Sequence, residues 1–194
     1  QYRIVNRKNE VGVVRPKMSA TEEKMKRFFD IVLALIGIVL LLPVYILLTP
    51  VLAWKWKGRP FFTQGRVGKG GHVFHILKFR TMRIDTPKDT PTHLLENPQH
   101  WITKVGGFLR KTSLDELPQI FNIFVGEMSI IGPRPALWNQ FDLIAERDKY
   151  GANDVLPGLT GWAQINGRDE LPIDVKARLD GEYVSRLSFG FDVK

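Results

Sequence analysis

A mainly helical α+β fold is what this 194-residue sequence predicts, with an N-terminal re-entrant (helix-break-helix) membrane segment and one compact domain bearing a small β-hairpin. Three observations carry that expectation. Ile31 to Trp54 is an uncharged, largely apolar run broken only by Gly37, Pro43, Tyr45, Thr49 and Pro50; two strand-like runs flank Gly68-Lys69-Gly70-Gly71; and later apolar residues recur at helical spacing. The chain divides into a basic juxtamembrane arm (1–23), the membrane segment (24–54) and the compact domain (55–194), which the abrupt ending suggests is truncated at its C-terminus.

Composition bounds the function. With 44% apolar and 25% charged residues the chain can build one core, and a second full domain is not expected. The absence of cysteine excludes disulfides and thiolate metal sites, leaving oxygen or imidazole as metal ligands. A net charge of +8 attracts something anionic, whether nucleic acid, phospholipid headgroups or a phosphorylated substrate.

The apolar run turns that choice toward the membrane. At 1.5 Å per residue its two dozen positions reach roughly 36 Å, slightly more than a hydrocarbon core of roughly 30 Å. Thr21-Glu22-Glu23 offers a cap and first-turn acids for the helix that leads into it. Lys24, Lys26 and Arg27 precede the run and Lys55, Lys57 and Arg59 follow it, so both flanks read as cytoplasmic. Two topologies fit: a single span with a proline kink, or a segment that enters and returns on one face with Pro43 as the break. The matched flanks favour the second.

Beyond the run, Pro60 to Gln64 and His72 to Arg80 form the expected hairpin. Gly65 to Gly70 lacks P-loop spacing, so its glycines read as a turn, and His72 and His75 read as surface or packing residues. From Lys55 to Arg83 there are eight basic and no acidic residues, a density suited to anionic headgroups or phosphates. Ile84 to His100, with three prolines, reads as an irregular loop. Ile102, Val105 and Leu109 mark a short basic helix, and further helices are expected over 136–150 and 174–186.

The most informative segment is Arg110-Lys111-Thr112-Ser113-Leu114-Asp115-Glu116-Leu117-Pro118-Gln119, where adjacent carboxylates follow two cations. Taken alone it fits a helix start. Ser113 and Glu116 have capping-box spacing and Asp115 would sit in a first turn that accepts negative charge. Pro118 fits that reading poorly.

Context reverses the preference. The basic flank and proline-bearing apolar run, Lys78-Phe79-Arg80-Thr81-Met82, the segment above, Gly132-Pro133-Arg134-Pro135, and Pro157-Gly158-Leu159-Thr160-Gly161-Trp162-Ala163-Gln164-Ile165-Asn166-Gly167-Arg168 occur in one order. Together they resemble the monotopic phosphoglycosyl transferases, the bacterial sugar transferase family, over about Lys24 to Lys194. One departure is Leu42, where the family often has serine before the membrane proline.

The resemblance implies an Asp-Glu dyad that works with Mg2+ through a covalent phosphosugar-enzyme intermediate. Asp115 would be nucleophile and metal ligand, and Glu116 either general base or second ligand. A carboxylate that attacks an anionic diphosphate needs cations nearby, a role that suits Arg110 and Arg134, with Lys78, Arg80 and Arg168 added by motif match. The implied reaction moves a phosphosugar from a nucleotide sugar, expected to be a UDP-sugar, to polyprenol phosphate. It gives UMP and a polyprenol diphosphate sugar, as the first membrane step of glycoconjugate or exopolysaccharide assembly at the cytoplasmic face of the bacterial inner membrane. The expected partners are these two substrates and anionic phospholipid, with no nucleic acid; a homo-oligomer is compatible with the sequence and not fixed by it. Trp162 suits either the core or an aromatic membrane anchor. Two rival readings are a non-catalytic membrane adaptor with a basic lipid- or partner-binding surface and a membrane-anchored nucleic-acid-binding protein, which the net charge alone suggests and no recognised motif accompanies.

Overall fold

A computed structural model describes residues 18–87, 95–167 and 171–193. The juxtamembrane arm before residue 18 therefore lies outside the described residues. The long helix α1 spans Ala20–Lys55 and is long and apolar enough to cross a membrane. Its start is capped by Ser19 rather than Thr21: the Ser19 hydroxyl accepts from the Glu22 N–H, and the Glu22 carboxylate accepts from the Ser19 N–H at 2.9 Å.

The expected break at Pro43 is not formed. Pro43 and Pro50 both lie inside α1, which continues through them as one helix. Each proline removes one backbone donor, and the remaining ladder is backed by packing on both sides of Pro43. Asp30, Ala34 and Gly37 before Pro43, and Tyr45, Leu48, Leu52 and Trp56 after it, recur every three or four residues within each group and face the rest of the chain. Gly37 makes room for this contact, since a Cβ there would lie 2.3 Å from Ile120 Cδ1. The opposite stripe, including Val39, Leu40, Leu47 and Trp54, is exposed.

The hairpin forms as expected. Strands β1 (Phe61–Val67) and β2 (Val73–Phe79) pair antiparallel, with Phe62 opposite Lys78. Next come α2 (Pro98–Trp101), which begins inside the stretch expected to be irregular and ends one residue beyond it, and α3 (Lys104–Lys111), the basic helix. A single 3-10 turn (Leu114–Glu116) leads through Pro118 into α4 (Gln119–Val125). Asn122 of α4 hooks the sheet: its Oδ1 accepts from the Leu77 N–H and its Nδ2 donates to the His75 carbonyl.

Two three-residue strands that the sequence did not announce, β3 (Ser129–Ile131) and β4 (Gly158–Thr160), pair in parallel. Between them lies α5 (Phe141–Asp148), shorter than the expected 136–150. After β4 come α6 (Trp162–Ile165), α7 (Ile173–Arg186), matching its expected bounds within a residue, and α8 (Phe189–Val193). Trp162 belongs to the core side, packed against Phe191 with its indole N–H on Glu182.

Among the described residues the apolar interior is a set of small clusters, two of which lie along α1. Ala34 packs with Phe74, Ile76, Ile123 and Met128, while Leu52 and Trp56 pack with Phe79 and Leu109. Lys26 closes the N-terminal end by pairing with Asp192 of α8 and donating to the Ile131 carbonyl.

Candidate active site

Three segments converge on the Asp115-Glu116 turn. Strand β2 delivers Lys78, and the chain just beyond it delivers Thr81. Helix α3, capped by Thr103, is pressed against that stretch: a Cβ on Gly106 would lie 1.8 Å from the Thr81 carbonyl oxygen, so only glycine allows the approach. The contact seats Arg110, whose Nε donates to the Thr81 hydroxyl at 3.0 Å and which also reaches Met82 Sδ.

The turn itself departs from the capping expectation. Ser113 adopts a left-handed conformation (φ 57°) and its side chain caps nothing. For a residue other than glycine this backbone costs on the order of 1–3 kcal/mol and persists only where its surroundings hold it. Glu116 turns away from Ser113 and is gripped by two cations. Its Oε1 accepts from Lys78 Nζ and an Arg134 Nη, each at 2.7 Å, and its Oε2 faces the second Arg134 Nη at 3.3 Å. Burial would raise the Glu116 pKa, but the Lys78 ammonium and the Arg134 guanidinium outweigh it and hold it down to about 2.

Asp115 is treated differently by its surroundings. It is buried, and among the described residues no side chain donates a hydrogen bond to its carboxylate. Burial pushes its pKa above the ordinary carboxylate value, with Lys78 and Arg110 opposing that shift. Adjacent carboxylates are thus divided into a clamped anion and one poised to take a new partner.

Arg134 sits in a loop strapped from behind. Its carbonyl accepts from an Arg147 Nη at 2.9 Å, and Arg147 is itself paired with Asp180 of α7; both are almost fully buried. The Pro135 carbonyl accepts from Arg66, and the Pro133 carbonyl from the Gly158 N–H.

Of the residues singled out from sequence, Lys78, Arg110, Asp115, Glu116 and Arg134 meet in this cluster. Arg80 does not join them: it lies two residues along the chain, donates to the Arg59 and Phe61 carbonyls and rests over the Phe62 ring. Arg168 lies outside the described residues. Thr81, Arg147 and Asp180 were missed. No local spacing links positions 147 and 180, and a lone threonine carries no signal of its own.

The donor chemistry fits magnesium held in part by substrate. Among the described residues no group of three or more His, Asp or Glu side chains could cage a metal. Magnesium commonly takes one or two carboxylates, with phosphate and water oxygens completing its shell. Both Glu116 oxygens face cations, which leaves Asp115 as the available carboxylate.

The clamp has a pH signature. Because the Glu116 pKa is lower in the folded chain than its ordinary 4.5, its contribution to stability is present above about pH 4.5 and is lost as pH falls toward 2. The thermal midpoint of Glu116→Gln should fall furthest below that of the unmodified chain above pH 4.5, and the gap should narrow on acidification. A constant gap from pH 7 to 3 would contradict the clamp.

Comparison with known proteins meets this geometry. The model of a family described as bacterial sugar transferase matches residues 21–194. The uncharacterized sugar transferase EpsL of Bacillus subtilis (strain 168) is 40% identical over 171 residues, covering 88% of this chain and 82% of that protein. The galactosyl transferase CpsE of Streptococcus agalactiae serotype III is 38% identical over 87% of this chain, and the UDP-glucose:undecaprenyl-phosphate glucose-1-phosphate transferase of Escherichia coli K12 is 36% identical over 91%. The chain spans 40% and 39% of the lengths of those last two proteins. With a match that runs from the first turn of α1 to the end of the chain and takes in the clamped dyad, the chain belongs to the bacterial sugar transferase family.

Proposed function

We propose that this chain transfers a sugar phosphate from a UDP-sugar to polyprenol phosphate in two displacements at Asp115, the first membrane step of glycoconjugate assembly. The observation that carries the reading is the division of labour within the dyad: Glu116 spends its charge on Lys78 and Arg134, while Asp115 is buried beside them without a hydrogen-bonding side chain among the described residues.

In the first displacement an Asp115 oxygen attacks the phosphorus that bears the sugar. The bond from that phosphorus to the bridging oxygen breaks, and UMP leaves with the electron pair. In the second, an oxygen of polyprenol phosphate attacks the same phosphorus and the Asp115–phosphorus bond breaks, restoring the carboxylate and releasing polyprenol diphosphate sugar. Lys78, Arg134 and Arg110 stabilise charge on the equatorial oxygens, arranged before substrate arrives. Asp115 would hold magnesium, which when bound would supply charge neutralisation for the donor. A carboxylate held at a pKa of about 2 is a poor base at neutral pH, so Glu116 serves to position the two cations. The acceptor needs little help, since a phosphate monoester is largely a dianion near pH 7.

The packing of α1 supports a one-sided membrane topology, and the basic flanks favour the cytoplasmic face for the site. The helix is about 54 Å long by its rise, and both its ends are bound to the same polar domain, Lys26 to Asp192 and Trp56 to Leu109 and Phe79. A transverse span would drag one of those ends, with its charges, through hydrocarbon. Lying along the bilayer surface instead, α1 turns its exposed stripe to lipid, continued by Phe121, Phe124 and Val125 of α4. The dyad, three residues before α4, then lies at headgroup level, where a soluble donor and a lipid acceptor can both reach it.

Two experiments test these readings. The full chain with magnesium, undecaprenyl phosphate and a panel that includes UDP-glucose and UDP-galactose should release UMP; no release across a broad panel would favour a non-catalytic adaptor. For topology, cysteines placed singly at Glu23 and Lys57 of this cysteine-free chain should both resist an impermeant thiol reagent added outside intact cells. Labelling at one position alone would establish a span.

A further inference from the structure

Tyr45 hydrogen-bonds the long helix α1 to the residue that ends the reacting turn. It lies two positions beyond Pro43 on the inward stripe of α1, and its hydroxyl donates to the Leu117 carbonyl at 2.9 Å, across 72 residues of sequence. Leu117 directly follows Glu116. The ring packs at 5.9 Å from that of Phe79, the residue after Lys78, and at 5.7 Å from that of Phe121 in α4. One side chain therefore braces both segments whose charges meet in the Lys78–Glu116 pair. Tyr45 and Leu48 also close the cluster of Leu52, Trp56, Phe79 and Leu109, against which Leu114, the residue before Asp115, is packed.

The turn needs such a brace. It begins at Ser113 in a strained left-handed conformation, is only a single 3-10 turn, and its own hydrogen bond from the Leu117 N–H to the Leu114 carbonyl is long at 3.3 Å. A turn of that kind holds one geometry when its neighbours over-determine it. On the upstream side α3 does so, through the Arg110 bond to Thr81. On the downstream side the phenol of Tyr45 reaches it from α1.

We propose that Tyr45 is a positioning residue for the transfer reaction, fixing the Asp115-Glu116 turn through the Leu117 carbonyl and Phe79. The seating of α1 against the domain and the setting of the dyad thereby become one event. This rests on the two-displacement reading above. Tyr45 touches no reacting atom, so its effect belongs in the rate of the chemical step and not in donor affinity.

The test compares Tyr45→Phe with the full chain in lipid nanodiscs, using undecaprenyl phosphate and the UDP-sugar of the panel that the unmodified chain turns over. Tyr45→Phe keeps the ring and loses the one hydrogen bond. Its kcat should fall about five- to tenfold with KM for the UDP-sugar changed less than twofold, the scale of a single neutral hydrogen bond. Amide exchange of a peptide covering residues 113–121 should quicken, while that of β1 and β2 should not. Val184→Ala, in the distant cluster with Tyr183, serves as the packing control: it should lower the thermal midpoint at least as much and leave kcat within twofold. A Tyr45→Phe kcat within twofold of the unmodified chain, a loss confined to KM, or an equal kcat loss in Val184→Ala would each overturn the positioning role while leaving the transfer reading intact. Failure of the unmodified chain to release UMP would instead defeat both.

Discussion

Asp115→Asn should lower UMP release by about 10^4-fold or more, because the change removes the nucleophile and leaves its surroundings in place. The expected stability change runs the other way. Burial holds the Asp115 carboxyl above its ordinary pKa in the folded chain, so its ionised form is a net liability to folding above that value. Asparagine has nearly the same shape and carries no charge, and the variant should melt at or above the temperature of the unmodified chain at pH 7. An inactive protein that is no less stable is the mark of a group kept for chemistry. A less stable protein with much of its activity left would identify Asp115 as a structural carboxylate.

The largest effect on stability is expected from the ion pair behind the site. Arg147 and Asp180 are 3% and 1% exposed, and the pair is joined at one carboxylate oxygen by a hydrogen bond from Nε at 2.8 Å and an ion-pair contact from an Nη at 2.6 Å. Arg147→Met leaves a carboxylate buried without its partner, which typically costs about 3–5 kcal/mol. That corresponds to roughly 6–20 °C in thermal midpoint for a chain of this size. Adding Asp180→Leu should recover much of the loss, because the uncompensated charge then disappears. Activity should recover less than stability in the double variant. The Arg134 carbonyl would still lack the Arg147 donor that fixes the loop carrying its guanidinium to Glu116. Thermal melts and UMP release measured on both variants separate the two effects.

These expectations rest on contacts of very different visibility in the sequence. The hairpin could be read directly, since Gly68 to Gly71 lies between two apolar runs and the register follows from the turn. Helix α1 was legible in length and apolarity, but its continuity was not. A proline looks like a break until it is known that Ala34 and Gly37 on one side and Tyr45 and Leu52 on the other lie against one surface. The Ser113 to Glu116 spacing was a true motif with a misleading local meaning. The capping box needs Ser113 in extended backbone, and with φ at 57° its hydroxyl cannot serve, so Glu116 finds Lys78 from 38 residues away. Arg80 shows the converse: a basic residue inside a quoted motif whose side chain turns to carbonyls at the hairpin edge. Strands β3 and β4, three residues each and paired across an intervening helix, had too little length to leave a periodic signal.

On the proposed function, membrane attachment and chemistry are linked through α1. Tyr45, Leu48 and Leu52, which seat α1 against the domain, also pack beside the dyad's turn, so the turn rests against the helix that carries the exposed apolar stripe. On the proposed reading a soluble nucleotide sugar would approach from the polar side, where Lys78, Arg110 and Arg134 gather. A polyprenol phosphate would approach from the side of Phe121 and Phe124, with its phosphate at the depth of the same cations.

Intact-protein and peptide mass spectrometry after mixing the full chain with magnesium and the UDP-sugar it turns over, with no acceptor present, tests the central claim most directly. A mass increase of one sugar phosphate, mapped to Asp115, released by undecaprenyl phosphate and absent in Asp115→Asn, is the expected result. Turnover at full rate with no such adduct at Asp115 under any quench would mean that donor and acceptor react directly, which would contradict a nucleophilic role for Asp115.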